Sequence, residues 1–365
     1  TRVDLAGAGT QTSAIAFGGF LPPTSAATEE YDGTSWVTSP NMGTARYGLA
    51  GAGTRAAALA AGGRAGPRQT ATEEFNSTIF SPATGAWASG GNMSTARQSL
   101  SGVGIQTAAL GFGGYTTAVT GATESYNGTS WTTSPNSMGT ARYNGIGSAG
   151  TQTAALAFGG ANPGKTAVSE SWNGTSWSPA PSLNTSRQGL AGAGATSIAA
   201  LAFGGWLQPG SSSASESFNG SSWTNTPSLN TARNGLAGSG TQTAALAFGG
   251  ADPNAQTESW NGSSWTSVAN MNTGRYALAS AKNGTPTAAL AFGGNSGSIT
   301  GATEQYNGTV WSSAPPLTTV RAYVAGAGTQ TAGLAFGGQT PSDTAATEEW
   351  SGPQTTATAS TLTTS

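Results

Sequence analysis

A Gly-Gly pair recurs eight times along this chain, and no other feature constrains its fold as strongly. The second glycine falls at Gly19, Gly63, Gly114, Gly160, Gly205, Gly250, Gly294 and Gly338, with spacings of 44, 51, 46, 45, 45, 44 and 44, so eight copies account for all 365 residues. A fixed period of roughly 20–50 residues belongs to architectures in which each unit buries its apolar surface against its neighbours. Every copy opens on an arginine (Arg2, Arg46, Arg97, Arg142, Arg187, Arg233, Arg275, Arg321) and crosses a Gly/Ala run, such as Tyr47 to Gly53, before reaching the pair 17 to 19 residues later. No helical periodicity occurs in that stretch.

After the pair come a variable segment, a Glu-x-aromatic element (Glu124 to Tyr126, Glu170 to Trp172, Glu304 to Tyr306), an Asn-Gly step and a tryptophan: Trp36, Trp87, Trp131, Trp177, Trp223, Trp265 or Trp311. Asn-Gly between aromatic-bearing runs predicts a hairpin whose two turn residues both take positive φ. One copy therefore reads as four short strands: a, the Gly/Ala run; b, an apolar stretch such as Ala154 to Phe158; c, the Glu-x-aromatic element; and d, which starts at the tryptophan. Four-stranded units repeated around an axis make a β-propeller. The expected class is all-β, a propeller of eight four-stranded blades in a single domain over residues 1–365, with seven blades and a flap as the alternative. In the eighth copy Thr355 stands where tryptophan is expected, and its d strand is assigned to the region after Gln354. In the second copy Phe75 and Trp87 lie 12 positions apart where the other complete copies use five, and this insertion, with Ile79 and Phe80, is expected to project from the opposite face, either as a docking contact or folded back onto its own blade.

Arginine, a small-residue strand, an apolar strand ending in Gly-Gly, Glu-x-Tyr and a tryptophan followed by Pro and Met or Leu resemble the kelch repeat, best seen from Met138 to Trp177. The resemblance spans the chain and implies a β-propeller, commonly of six or seven blades. Kelch-like propellers include galactose-oxidase-like enzymes, whose radical copper site takes Cys, Tyr and His ligands; this chain has no His and no Cys. The turn from Ser125 to Trp131 also resembles the structural Asp-box of sialidase propellers, without the unrepeated arginine cluster that a sialidase site implies. The Gly/Ser/Thr-rich character resembles kelch-like repeats encoded in bacteriophage genomes, which look like tail, fibre or decoration proteins.

Composition excludes more than it assigns. Absence of His and Cys removes imidazole bases, thiolate nucleophiles, disulfides and the usual zinc, copper and iron ligand sets. Charged residues make up 8%, and 13 bases against 15 acids leave a net charge of −2, so no dense Lys/Arg face for nucleic acid exists. No apolar run approaches the ~20 residues of a membrane helix, and the start at Thr1 reads as processed or truncated. Eleven Trp, 11 Phe and 8 Tyr argue for a packed fold and against disorder. Eight of the bases are the repeat arginines and eight of the acids are Glu29, Glu73, Glu124, Glu170, Glu216, Glu258, Glu304 and Glu348, which suits Arg-Glu locks rather than a differentiated acid/base site. Left over are Arg55, Arg64, Arg68, Lys165 and Lys282, against Asp4, Glu30, Asp32, Glu74, Asp252, Asp343 and Glu349. Glu30 and Asp32 are the closest approach to a pair of hydrolytic carboxylates. Sequons such as Asn127-Gly-Thr and Asn219-Gly-Ser read as hairpin turns rather than glycan acceptors.

Function is expected where the copies disagree, in the loops between strands b and c. Phe20, Tyr115 and Trp206 are unrepeated aromatics there, accompanied by Arg64 and Asp252. Aromatic faces among Ser, Thr and Asn suit sugar rings, so these five are the candidate ligand-binding residues; the alternative, which the sequence favours slightly, is that each aromatic packs on the adjacent blade. The expected function is a non-enzymatic binding or structural propeller on a virion or cell exterior, recognising carbohydrate or a receptor or contacting neighbouring virion subunits. A purely architectural module is the alternative and a glycan-active enzyme the third reading. No catalytic residue, metal or cofactor is assigned.

Overall fold

The computed structural model describes residues 2–31, 33–76, 82–83, 85–352, 354–355 and 361–364; Asp32 and the Ile79-Phe80 insertion lie outside them. Among the described residues there is no helix, and the strands form eight four-stranded antiparallel sheets, the kind of unit a propeller repeats. The chain divides into two compact units: Thr1–Ala83 with Gln354–Ser365, and Thr84–Pro353.

The smaller unit holds two sheets. The first runs Ala6–Thr10, Ser13–Phe17, Thr28–Tyr31, Trp36–Ser39. The second runs Ala50–Gly53, Ala57–Ala61, Thr72–Asn76, and takes Thr361–Thr364 as its fourth strand. Ile15, Phe17, Met42 and Phe75 form the core between them. Trp36 is 52% exposed and stacks only on Tyr31 of its own sheet, ring centroids 5.1 Å apart.

The larger unit holds six four-stranded sheets, the third to the eighth copies. Their first strands are Ser101–Ile105, Gly147–Gly150, Ala191–Thr196, Ala237–Gly240, Ala279–Ser280 and Ala325–Gly328. These strands contact one another in chain order, and the last contacts the first. Small residues are required here: a Cβ on Gly238 would stand 2.3 Å from the Phe203 ring, and one on Gly326 2.3 Å from the Ser280 carbonyl. In the eighth sheet the fourth strand is Ala86–Ser89, which pairs with Thr347–Ser351 and sets Trp87 opposite Trp350. This corrects the expectation that the region after Gln354 completes the eighth copy. That region completes the second copy instead. The long Phe75-to-Trp87 gap and the missing eighth tryptophan are thus one event: Trp87 leaves its own copy and serves the last.

Two sets of contacts join each of these sheets to the next. Indoles of strand d lie edge-on or tilted against the phenylalanine that ends strand b of the preceding sheet: Phe112 with Trp177, Phe158 with Trp223, Phe203 with Trp265, Phe248 with Trp311, Phe292 with Trp87 and Phe336 with Trp131, at 4.7–5.0 Å between centroids. Each indole N–H also donates across the sheets, as Trp265 does to Ser215 and Trp131 to Thr347, so burial leaves no polar atom stranded. The Gly-Gly pair supplies the second set. Gly250 N–H donates to the Arg275 carbonyl of the next copy at 2.8 Å, and Gly338 N–H to that of Arg97 at 2.7 Å. Both glycines of the pair sit at positive φ, 70° and 132° for Gly249 and Gly250, where other residues are strained.

Seven of the eight repeat arginines are buried, Arg2 is half-buried, and each donates its terminal nitrogens within its own copy. Arg97 donates through one terminal nitrogen to the carbonyls of Gly113 and Ala122 and through the other to Glu124 at 2.8 Å, while the second Glu124 oxygen accepts from Ser94 N–H. The same geometry recurs at Arg187, Arg233, Arg275 and Arg321 with Glu216, Glu258, Glu304 and Glu348. Desolvation pulls these guanidinium groups below their ordinary range, and the paired glutamates oppose it. Arg142 is the exception: it stands 3.6 Å from Glu170, whose two oxygens accept from Gly139 and Thr140 N–H instead, and burial takes its guanidinium down to about 10.

The hairpins between strands c and d correct the turn expectation. Strand c ends at Tyr126 and d starts at Trp131, leaving four loop residues; of Asn127 and Gly128 only the glycine has positive φ. Asn127 Oδ1 accepts the N–H groups of Thr129 and Ser130, so the side chain caps the loop and no two-residue primed turn is needed.

Three substitutions test these contacts by chemical denaturation of the protein. Trp265→Ala removes a buried indole and its bond to Ser215 and should cost about 3–5 kcal/mol. Arg97→Met leaves Glu124 buried with one backbone donor and should also cost about 3–5 kcal/mol. Arg142→Met should cost measurably less, because Glu170 keeps two.

Candidate cavity at the convergence of the first strands

The residue two after each repeat arginine takes a left-handed conformation: Ser99, Asn144, Gly189, Gly235, Ala277 and Tyr323 have φ between 51° and 63°. In all but Asn144 the N–H donates to the neighbouring copy. Gly189 N–H donates to the Asn144 carbonyl, Gly235 to Gly189, Ala277 to Gly235, Tyr323 to Ala277 and Ser99 to Tyr323, at 2.8–2.9 Å. A girdle of main chain results, contributed by all six sheets of the larger unit.

Behind the girdle lies a cavity of about 490 Å³, within the usual size for small-molecule sites of roughly 300–1,000 Å³. The first strands line its wall, and Asn144, Asn234, Tyr276 and Tyr323 stand among Leu100, Leu190 and Leu278. Burial, and after it the neighbouring Tyr276, push the Tyr323 phenol upward. Ser101 and Ser280 lie deeper, where their hydroxyls already donate to Ser148 Oγ and to the Gly238 carbonyl.

The seventh copy departs from the others at the inner end of the cavity. Where the other seven carry Gly9, Gly53, Gly104, Gly150, Gly194, Gly240 and Gly328, this one carries Lys282. Those glycines have φ between 92° and 158°, and a Cβ on Gly104 would stand 2.2 Å from the Ala108 carbonyl, so lysine cannot simply replace one. The turn is two residues longer here, which shortens strand a to Ala279–Ser280 and reshapes the backbone. The longer turn is pinned to three other sheets: the Lys282 carbonyl accepts from Gly240 N–H, Asn283 N–H donates to the Gly328 carbonyl, and Asn283 Nδ2 donates to that of Gly104. Lys282 lines the cavity beside it. It has no ion-pair partner among the described residues, and burial takes its ammonium down to about 8.

Of the five residues singled out in the sequence, only Asp252 lines this cavity; it is exposed, with φ of 63°. Tyr115 and Trp206 sit beside the girdle, because their N–H groups donate to the carbonyls of Gln98 and Gln188, the residues just before Ser99 and Gly189. Both are half-buried. Tyr115 leans on Tyr143 of the next copy at 5.5 Å, and Trp206 opens a short hairpin, Trp206–Leu207 with Gly210–Ser211. Phe20 and Arg64 belong to the smaller unit, where Phe20 stacks on Tyr47 at 5.4 Å and Arg64 is exposed. Glu30 is engaged by Arg55 at 3.0 Å and by Ser39, so the pair of free carboxylates considered with Asp32 loses its described member. Lys282 stood in the sequence only as a leftover base; its signal was the exchange of a glycine present in every other copy.

No group of three or more metal-ligating side chains occurs among the described residues, nor any helix long and apolar enough to cross a membrane. No protein-family model matches the chain, and no curated protein sequence matches it either.

An ammonium that is partly desolvated and lacks an ion-pair partner opposes folding while it is charged. Lys282→Met, of similar length and without the charge, should therefore raise the melting temperature. The sign with pH follows from linkage: between about 8 and the unfolded value near ~10.4 the unfolded chain holds a proton that the folded one lacks, so wild-type stability gains with pH there. The advantage of Lys282→Met should be full below pH 8 and vanish by about pH 10.5, as thermal melts of the two proteins across that range will show.

Proposed function

We propose that the six sheets of the larger unit close into a six-bladed kelch-like β-propeller, circularised by Ala86–Ser89 as the last blade's outer strand, and that it is a non-catalytic carbohydrate-binding module exposed on a cell or virion exterior. Closure is supported by the Phe-Trp and Gly-to-Arg contacts, each of which returns from the eighth copy to the third. A count of six takes the place of the eight or seven expected from the repeats.

The observation that carries the binding reading is the cavity behind the girdle. Sugars offer hydroxyls to amides and phenols and C–H faces to apolar side chains, and the wall supplies both from Asn144, Asn234, Tyr276, Tyr323 and the leucines. Tyr115 and Trp206 lie near enough to the girdle to meet a chain extending outward. Chemistry is disfavoured because the repeat glutamates are saturated by arginine and backbone donors, leaving no differentiated acid/base pair.

One observation favours the architectural alternative: the smaller unit exposes Trp36, Val3, Leu5, Leu21 and Val37, an apolar set suited to assembly.

A glycan array with wild type, Tyr323→Ala and Tyr115→Ala decides between them. Wild type should bind, Tyr323→Ala should lose at least tenfold with its near-ultraviolet circular dichroism retained, and Tyr115→Ala should lose little. Absence of any glycan bound by wild type, or equal binding by all three, would favour the architectural module.

A further inference from the structure

We propose that the ligand of this cavity is an acidic saccharide, a hexuronic acid unit, whose carboxylate pairs with the Lys282 ammonium at the inner end. The inference rests on the carbohydrate reading and specifies its substrate class.

Four observations converge on it. Lys282 breaks a pattern that seven other copies keep, and the break needs a longer turn pinned to three neighbouring sheets. The fold thus carries a specialised element at one point of an otherwise repeated wall. That element lowers stability, since the half-buried ammonium is partly desolvated and has no ion-pair partner among the described residues. The titratable and charged groups lining the same cavity are Asp252, Tyr276 and Tyr323, and no ion pair joins Asp252 to the lysine. An incoming carboxylate supplies the missing counter-charge, and a hydrogen-bonded ion pair in a low-dielectric pocket is far stronger than one in water.

Size separates an acidic sugar from a bare anion. A cavity of about 490 Å³ is several times larger than a carboxylate needs, and the amides and phenols toward the girdle have no role in holding a simple ion. A sugar ring occupies that space with its hydroxyls toward Asn144, Asn234 and the two tyrosines and its carboxylate inward.

Titration calorimetry tests this with galacturonate, glucuronate, galactose, glucose and acetate against wild type, Lys282→Met and Lys282→Gln. Wild type should bind at least one uronate tenfold or more tightly than its matching hexose. Both variants should lose that preference while keeping weak hexose binding. Wild-type uronate affinity should also fall as pH rises above about 8, where the ammonium loses its proton; the Tyr323 phenol, pushed upward, titrates later. Equal binding of uronate and hexose by wild type would overturn the acidic-sugar inference and leave the carbohydrate reading intact. Acetate binding as tightly as uronate would reduce the site to an anion hole and overturn it too. Binding of no sugar at all would overturn both.

Discussion

The buried arginine is the interaction on which the rest of this structure depends. A chain with so few charges places eight guanidinium groups one per repeat; each uses its fork to collect two backbone carbonyls distant in sequence, and all but Arg142 also hydrogen-bond a carboxylate. One of those carbonyls belongs to the first glycine of the Gly-Gly pair, whose positive φ turns it out of the ladder. Without the arginine that carbonyl would be buried and unpaired, at a cost of about 1–3 kcal/mol before the glutamate is counted. The arrangement is not free of cost: the Nε atoms of Arg97, Arg187, Arg233, Arg275 and Arg321 have no partner. The guanidinium gives up one donor to place the others, and the link between successive sheets is fixed as a result.

With the link fixed, packing between sheets becomes repetitive, which explains what the sequence made legible. Strands a to d, the inward small residues, the Phe-Trp contacts and the Arg-Glu locks follow from local pattern, because each involves residues at constant offsets. Which strand completes which sheet does not. Every copy presents the same edges, so strand d of one repeat is chemically equivalent to that of another, and local pairing rules cannot distinguish them. The only sequence traces of the exchange were two irregularities, the widened Phe75-to-Trp87 spacing and the absent tryptophan of the eighth copy, and they become informative when read together.

The cavity was hidden for a related reason. Attention to aromatic, unrepeated loop residues found Tyr115, Trp206 and Asp252, which lie at or beside the girdle, but a wall made from six strands 45 residues apart has no compact motif. Lys282 is legible only once the copies are aligned on their arginines, and its meaning then depends on knowing that this register faces the axis of contact between first strands. A lysine in an alternating strand is ordinarily a solvated residue. Here the same side chain lines a cavity and is half-buried, on a turn pinned to three other sheets.

Costs that the scaffold elsewhere avoids accumulate around this cavity. Ser99, Asn144, Ala277 and Tyr323 occupy left-handed conformations that glycine fills without strain at Gly189 and Gly235, and Asp252 does the same in the adjoining loop. Six of the described non-glycine residues have positive φ, and five of them lie in this one region; Asp4 of the smaller unit is the other. At the inner end, a partnerless ammonium adds a penalty of a different kind. Sequence drift within a repeat would remove such features, since glycine at the girdle and glycine in place of Lys282 are both supplied by sister copies. Asp4 stands at the same position of its own copy, two after Arg2, so the left-handed turn belongs to the repeat itself; what sets the cavity apart is Lys282, an ammonium on a wall whose other charged side chain is Asp252.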